Sequence, residues 1–285
     1  MNASELTFGV EIETTVNTGT AARNGLVIGC YHRGTQVPYL PEGWLAERDG
    51  SIQSDRPDRR GCEIVSPVLR GEEGLRQLQE VARILEAKGH RVNPTCGVHV
   101  HIGWDPRGDA TTLARLITIA SYCEPALYAI TGTKARERGR YCGGVRKYGD
   151  AKKAKESMDP NRYHALNINN LARGTRPTVE FRVFSGSTSA IKLVAWVMVC
   201  LGLVDRALSG KRLPAWAPAA LKAGGGWAKS GPGQSELERL IGFLGWSPSY
   251  EKIQGKAFGW VECGVTKEEV KTELRRLAKK YDEME

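Results

Sequence analysis

From Leu6 to Val16 the chain alternates, with Phe8, Val10 and Ile12 on one side and Gly9, Glu11 and Glu13 on the other. A period of two predicts a strand with one buried face. The same period returns in Thr95 to Trp104, where Val98, Val100 and Ile102 oppose His99 and His101. It returns again in Thr178 to Phe184, where Val179, Phe181 and Val183 oppose Glu180 and Arg182. Shorter strands are predicted at Trp44 to Glu47, at Gly61 to Ser66 before Pro67, and at Tyr163 to Asn169.

Helical spacing takes over between them. Leu75, Leu78 and Leu85 predict an amphipathic helix over Glu73 to Lys88, ended by Gly89. Asp109 or Thr111 can cap a second helix that runs to Ile130, with Pro125 as a candidate kink. Ala190 to Leu208 is apolar on nearly every side and predicts a buried helix; its run LVAWVMVCLGLV is shorter than the roughly 18 to 20 residues a bilayer needs.

The breaks in pattern suggest an organisation. Residues 18–41 read as loops with a short hairpin. The stretch from Lys134 to Asp159 is rich in Lys and Arg and poor in large apolar residues, and reads either as a solvated loop or as a flap over an anionic ligand. Residues 1–210 then form one catalytic-sized domain, 211–233 a Pro/Gly-rich linker, and 234–285 a small helical region whose last helix opens with a capping box, Thr266 to Glu269.

Composition narrows the class. With 285 residues, 41% hydrophobic, the chain can bury a core, and MNASELTFGVEIE has no export signal, so a cytoplasmic protein is expected. Seven scattered cysteines without a CxxC pair argue against a disulfide framework or a zinc knuckle. The net charge of +9 suits an anionic partner.

The polar strand faces then change the picture. Glu11, Glu13, Glu63 and Glu180, with His99, His101 and Arg182, make four carboxylates, two imidazoles and one guanidinium with no lysine. A solvated sheet face carries Lys, Thr, Ser and Gln; carboxylates gathered on one surface repel one another unless a cation neutralises them. Mostly oxygen donors with one or two imidazoles favour Mg2+ or Mn2+ over zinc.

In order along the chain, GVEIE at 9–13, DGS at 49–51, CEIVSP at 62–67, CGVHVHI at 96–102, RYHALNI at 162–168 and TVEFRVF at 178–184 resemble the amidoligase family, within the superfamily of ATP-dependent carboxylate–amine ligases that includes glutamine synthetase and glutamate–cysteine ligase. The resemblance implies an α+β fold: a curved, open antiparallel sheet with helices on its convex side and a small helical C-terminal appendage. It implies ATP and Mg2+, with Mn2+ as an alternative, and an amine and a carboxylate as substrates. Glu13 and Glu63 would bind the ion nearer the substrates, Glu11, His99 and Glu180 the ion on the nucleotide phosphates. His101, Arg162 and Asn167 would lie beside the nucleotide, and Arg182, helped by Arg162, would face the transferred phosphoryl group, with Glu63 also among the catalytic residues.

Two rivals stay open. A zinc-dependent amide hydrolase also uses HxH on a strand, but needs further histidines and an aspartate downstream, where only His164 follows. A basic nucleic-acid-binding protein explains the charge and leaves the carboxylates without a task. The glycine-rich GGGWAKS at 224–230 lacks the glycine before lysine and the preceding apolar strand of a phosphate loop.

Overall fold

The computed structural model describes residues 3–54, 56–104, 109–210 and 235–284. Its strands are β1 Thr7–Asn17, β2 Thr35–Gln36, β3 Leu45–Glu47, β4 Arg59–Val65, β5 Leu69–Arg70, β6 Gly97–Gly103, β7 Leu166–Asn167 and β8 Thr178–Ser185. They form one open antiparallel sheet in the order β2-β3-β4-β1-β6-β8-β7, with β5 pairing the start of β1. The helices are α1 Thr18–Arg23, α2 Gly71–Ala87, α3 Ala110–Ala129, α4 Ala151–Met158, α5 Asn169–Ala172, α6 Ala190–Leu208, α7 Glu236–Leu244, α8 Pro248–Gln254 and α9 Lys267–Asp282. The α+β class with an open antiparallel sheet is the one expected.

Helices cover the apolar face that the period-two pattern defines. Phe8, Val10, Ile12, Val98, Val100, Ile102, Val179 and Phe181 are all buried. On α2, a Cβ at Gly74 would stand 3.2 Å from the Phe8 ring, so the helix lies directly on β1. On α6, Trp196 stacks on Phe184 with ring centroids 5.0 Å apart and donates its indole N–H to the Ile130 carbonyl. Burying one such ring contributes about 1.5–3 kcal/mol, so Phe184→Ala would open the sheet–helix seam at its centre. The α2 helix ends at Ala87; Gly89 follows with φ +79, a backbone conformation that favours glycine.

Three local expectations change. Alternation on β8 does not run unbroken: a bulge places Phe181 opposite Val100 and Phe184 opposite Val98, so both phenylalanines reach the core and Arg182 sits at the irregularity. Residues 18–23, read as loop, form α1, with Asn17 capping the Thr20 amide. The basic segment is more structured than a solvated loop, because α4 buries Ala154 and Met158 within it. It is fastened to α3: the Glu124 carboxylate accepts the Val145 and Arg146 amides, and the Tyr128 hydroxyl donates to the Cys142 carbonyl. His164, between Tyr148 and the Asn161 carbonyl, fastens its far end.

The C-terminal helices α7 and α9 lie against α3 and α6. A half-buried ion pair, Lys256 to the buried Asp205 at 2.8 Å, and the capping box at Thr266 and Glu269 hold this end. The expected linker, 211–233, and the glycine-rich 224–230 lie outside the described residues. No described helix is long and apolar enough to cross a membrane, and none of the seven cysteines is held in a disulfide.

Candidate functional site

On the face opposite the helices, strand register builds a ladder of ionisable groups. Glu13 of β1 stands opposite Glu63 of β4, which stands opposite Glu47 of β3. Two residues back on β1, Glu11 stands opposite His99 of β6. One further step along β6, His101 stands opposite Glu180 of β8, which stands opposite Asn167 of β7. Cross-strand neighbours on one face have Cβ atoms about 4.5–5.5 Å apart, so the register alone brings these groups within ligating reach.

The contacts are close. His99 Nδ1 is 3.0 Å from Glu11 Oε2 and 3.7 Å from Glu180 Oε1, and its Nε2 is 3.7 Å from Glu13 Oε1. His101 Nε2 lies 3.1 Å from Glu11 Oε1 without the alignment of a hydrogen bond. Arg182 donates to Glu180 Oε1, Asn167 donates to Glu180 Oε2 at 2.6 Å, and the Gly97 amide donates to Glu13 Oε2. Among the described residues, three overlapping sets place ligand atoms within 4.8 Å of one another: Glu11, Glu63 and His99; Glu11, His101 and Glu180; Glu13, Asp49 and Glu63.

Electrostatics divide the ladder. Burial, followed by the charges of Glu11, Glu13, Asp49 and Glu47, pushes Glu63 up to about 10. At Glu11 burial acts upward but is outweighed by the neighbouring charge of His101 and then by the hydrogen bond and charge of His99, so its carboxyl is held well below the usual range. Glu180 is lowered in the same way, burial being overcome by His101, Arg182 and His99. Burial would lower His101, yet Glu11 and Glu180 raise it to about 9. One end of the ladder therefore balances its charge internally, while the Glu13–Glu63–Asp49 end gathers three carboxyl groups beside one imidazole, His99, whose Nε2 is 3.7 Å from Glu13 Oε1. That end fits an oxygen-liganded divalent ion, and each of the three sets contains at most one imidazole and no thiolate.

Two cavities of about 390 Å³ each open over the ladder and share Tyr31, Asp49, His99, Arg162 and Arg182. The first adds Glu13, Thr95, Arg136, Tyr141 and Tyr163. The second adds Glu11, Glu63, His101, Asn167, Arg173, Arg176 and Glu180. A third, about 260 Å³ and more apolar, adjoins the second at Glu11, His101 and Arg176 and is lined by Phe8, Val10, Val65 and Val68. A larger cavity, about 920 Å³, lies among α2, α6 and α9 and contains none of the ladder.

Residues 4–154 and 145–204 match the family model described as "Putative amidoligase enzyme". The chain belongs to the amidoligase family. No curated protein matches it. Among solved structures, the crystal structure of a bifunctional glutathione synthetase from Pasteurella multocida is similar at 10% identity and a TM-score of 0.40, over 71% of this chain and 38% of that one.

All nine residues singled out in this amidoligase sequence, Glu11, Glu13, Glu63, His99, His101, Arg162, Asn167, Glu180 and Arg182, line the two cavities over the ladder. His101, expected beside the nucleotide, shares a ligand set with Glu11 and Glu180, while His99 shares one with Glu11 and Glu63. Sequence reasoning missed Asp49, Glu47, Arg136, Arg173 and Arg176. Asp49 had a signal, the DGS turn, in which its carboxylate accepts the Ser51 amide.

Proposed function

We propose that this amidoligase is an ATP-dependent carboxylate–amine ligase that forms an amide or peptide bond through an acyl phosphate. The observation that carries the reading is the ladder itself: carboxylates and imidazoles converge in overlapping ligand sets beneath cavities lined by arginines.

The chemistry asks for these parts. A carboxylate does not condense with an amine in water, because its oxygen leaves poorly. Attack of the carboxylate oxygen on the γ-phosphorus of ATP forms the acyl phosphate and releases ADP; attack of the amine on the acyl carbon then forms the amide and releases phosphate and a proton. Phosphoryl transfer depends chiefly on positioning and on positive charge around the transferred group. Divalent ions at the ladder would supply charge to the phosphates and orient them. Glu13, Asp49 and Glu63 would hold one, and Glu11, His101 and Glu180, with His99 between the sets, would hold another.

The chain's own groups do the rest. Arg182, fixed by Glu180, and Arg162, which donates to the Tyr31 hydroxyl at 3.0 Å, would face the transferred phosphoryl group. Arg173 and Arg176 would meet the remaining phosphates in the second cavity, and the apolar third cavity adjoining it would take the base. The first cavity is left for the acid and the amine. The residues between α3 and α4, tied to Glu124 and Tyr128, would wall that cavity against water and protect the acyl phosphate from hydrolysis.

Calorimetric titration with ATP, with and without excess Mg2+, tests the reading. Binding that requires the ion and disappears in Glu180→Gln is expected. Binding indifferent to the ion, or retained by the variant, would overturn it.

A further inference from the structure

One charged group in the first cavity has no counterpart in that mechanism. Arg136 exposes only 9% of its surface. Its Nη2 donates to the Arg182 carbonyl at 2.6 Å, its Nε meets no acceptor, and among the described residues no carboxylate comes within ion-pair distance of it. A guanidinium cannot shed its proton, and buried charges are ordinarily paired. The two other arginines of the cavity differ from it: Arg182 is neutralised by Glu180, and Arg162 is more exposed and rests on Tyr31.

Its position is built. The guanidinium lies over Gly97, where a Cβ would stand 3.0 Å from both Nη atoms, so any side chain there would press it aside. The amide of the same Gly97 holds Glu13. Arg136 is thereby set beside the ladder's acidic end, on the wall of the cavity left for the substrates, yet Glu13 is turned to the Gly97 amide and does not neutralise it. A cation placed in this way is short of one anion.

We propose that the missing anion belongs to the acyl substrate: Arg136 anchors a second, non-reacting carboxylate, so the acid that is activated is dianionic, a dicarboxylate or an acidic amino acid. The planar fork of arginine suits a carboxylate, which it binds through two parallel hydrogen bonds. This rests on the ligase reading, because it is the reacting carboxylate that must sit at the ladder.

The test is calorimetry and thermal unfolding at constant ionic strength, with Mg2+ and a non-hydrolysable ATP analogue present. The probes are succinate, glutarate, L-aspartate and L-glutamate against butyrate and valerate. At least one dianion is expected to bind tenfold or more tightly than the monocarboxylates. Arg136→Gln should erase that preference and Arg136→Lys keep part of it, with analogue affinity within twofold of the parent. Gly97→Ala, which crowds the guanidinium, should weaken the preference by a second route. The ligand-free Arg136→Gln protein should melt no lower than the parent, since an unpaired buried charge is removed. Equal binding of mono- and dianions by the parent, no binding of any acid, or a preference that survives Arg136→Gln would overturn the proposal. Failure of the parent to bind the Mg2+–analogue complex while dianions still discriminate would instead overturn the ligase reading.

Discussion

Replacing Glu63 by Gln removes one carboxylate from the crowded end of the ladder and keeps the side chain's shape. Burial, followed by the charges of Glu11, Glu13, Asp49 and Glu47, holds the Glu63 carboxyl up at about 10 against an ordinary 4.5. The folded protein therefore keeps a proton that the unfolded chain releases. This contribution to stability is complete below about pH 4.5 and is lost as the pH rises toward about 10, at ~1.4 kcal/mol per pH unit. Three units above the ordinary value, near pH 7.5, the loss reaches at most about 4 kcal/mol. A divalent ion takes over the role of the proton, so it should remove this slope. The assay is urea unfolding from pH 5 to 9 in EDTA and in excess Mg2+, on the parent and on Glu63→Gln. In EDTA the variant should lose less stability with rising pH and be the more stable protein near pH 8; in Mg2+ the order should reverse. His101, raised to about 9, adds a loss above about 6.5 that both proteins share. Parallel curves in EDTA would refute the crowding argument, and absence of stabilisation by Mg2+ or Mn2+ in the parent would refute the cation site.

Four further outcomes are expected. Glu180→Gln and His99→Ala should unfold as two-state proteins with the parent's secondary structure by circular dichroism yet lose Mg2+-dependent ATP binding, since neither side chain contributes to the apolar face; parental binding would remove them from the site. Arg182→Ala should still bind nucleotide and lose about 10²- to 10³-fold in turnover, measured as ADP release, and a parental rate would end its assignment to the phosphoryl group. Glu11 belongs to two ligand sets and Glu180 to one, so Mn2+ stoichiometry by electron paramagnetic resonance should fall further in Glu11→Gln than in Glu180→Gln; equal losses would mean the sets are not separate sites. Behind the sheet, His90 is bonded to Thr14 and Tyr39 at 2.8 Å each, and burial with the charges of Arg59 and Arg91 holds it down at about 4. Its contribution is full above about pH 6.5 and is lost as pH falls toward 4, so Tyr39→Phe should cost about 1–3 kcal/mol at pH 7 and His90→Gln should flatten the acid limb of the stability curve.

What could be read in the sequence was whatever a strand's period fixes. Alternation placed Glu11 with Glu13, His99 with His101 and Glu180 with Arg182 on faces that had to lie away from the core, and the shortage of other polar types marked those faces as ligands. Register was not legible: nothing in CEIVSP says that Glu63 faces Glu13, because pairing depends on connections such as residues 18–58, whose loops have no period. Arg136 was hidden for the same reason. It is one of many basic residues between Lys134 and Asp159, and its burial comes from tertiary contacts that Gly97, Tyr128 and Glu124 make possible. The bulge on β8 left a faint trace, since Phe181 and Phe184 are three apart in a stretch otherwise of period two.

The same geometry explains why an antiparallel sheet suits this arrangement. Residues two apart on a strand are separated by about 6.5–7 Å, so Glu11 and Glu13 cannot serve one position equally, and neither can His99 and His101. Each instead meets the residue opposite it on the next strand, Glu13 with Glu63 and His101 with Glu180, while Glu11 and His99 face each other between them. Two positions for positive charge follow from the strand repeat, with a shared middle. Repulsion among the acids destabilises the empty site, and the apolar seam of β1, β6 and β8 against α2 and α6 resists the spreading of strands that would relieve it. On the proposed function, that cost is borne by a rigid core and would be relieved by a bound cation, and the unpaired charge of Arg136 would be relieved in the same way by an anionic substrate, so one physical account would cover both.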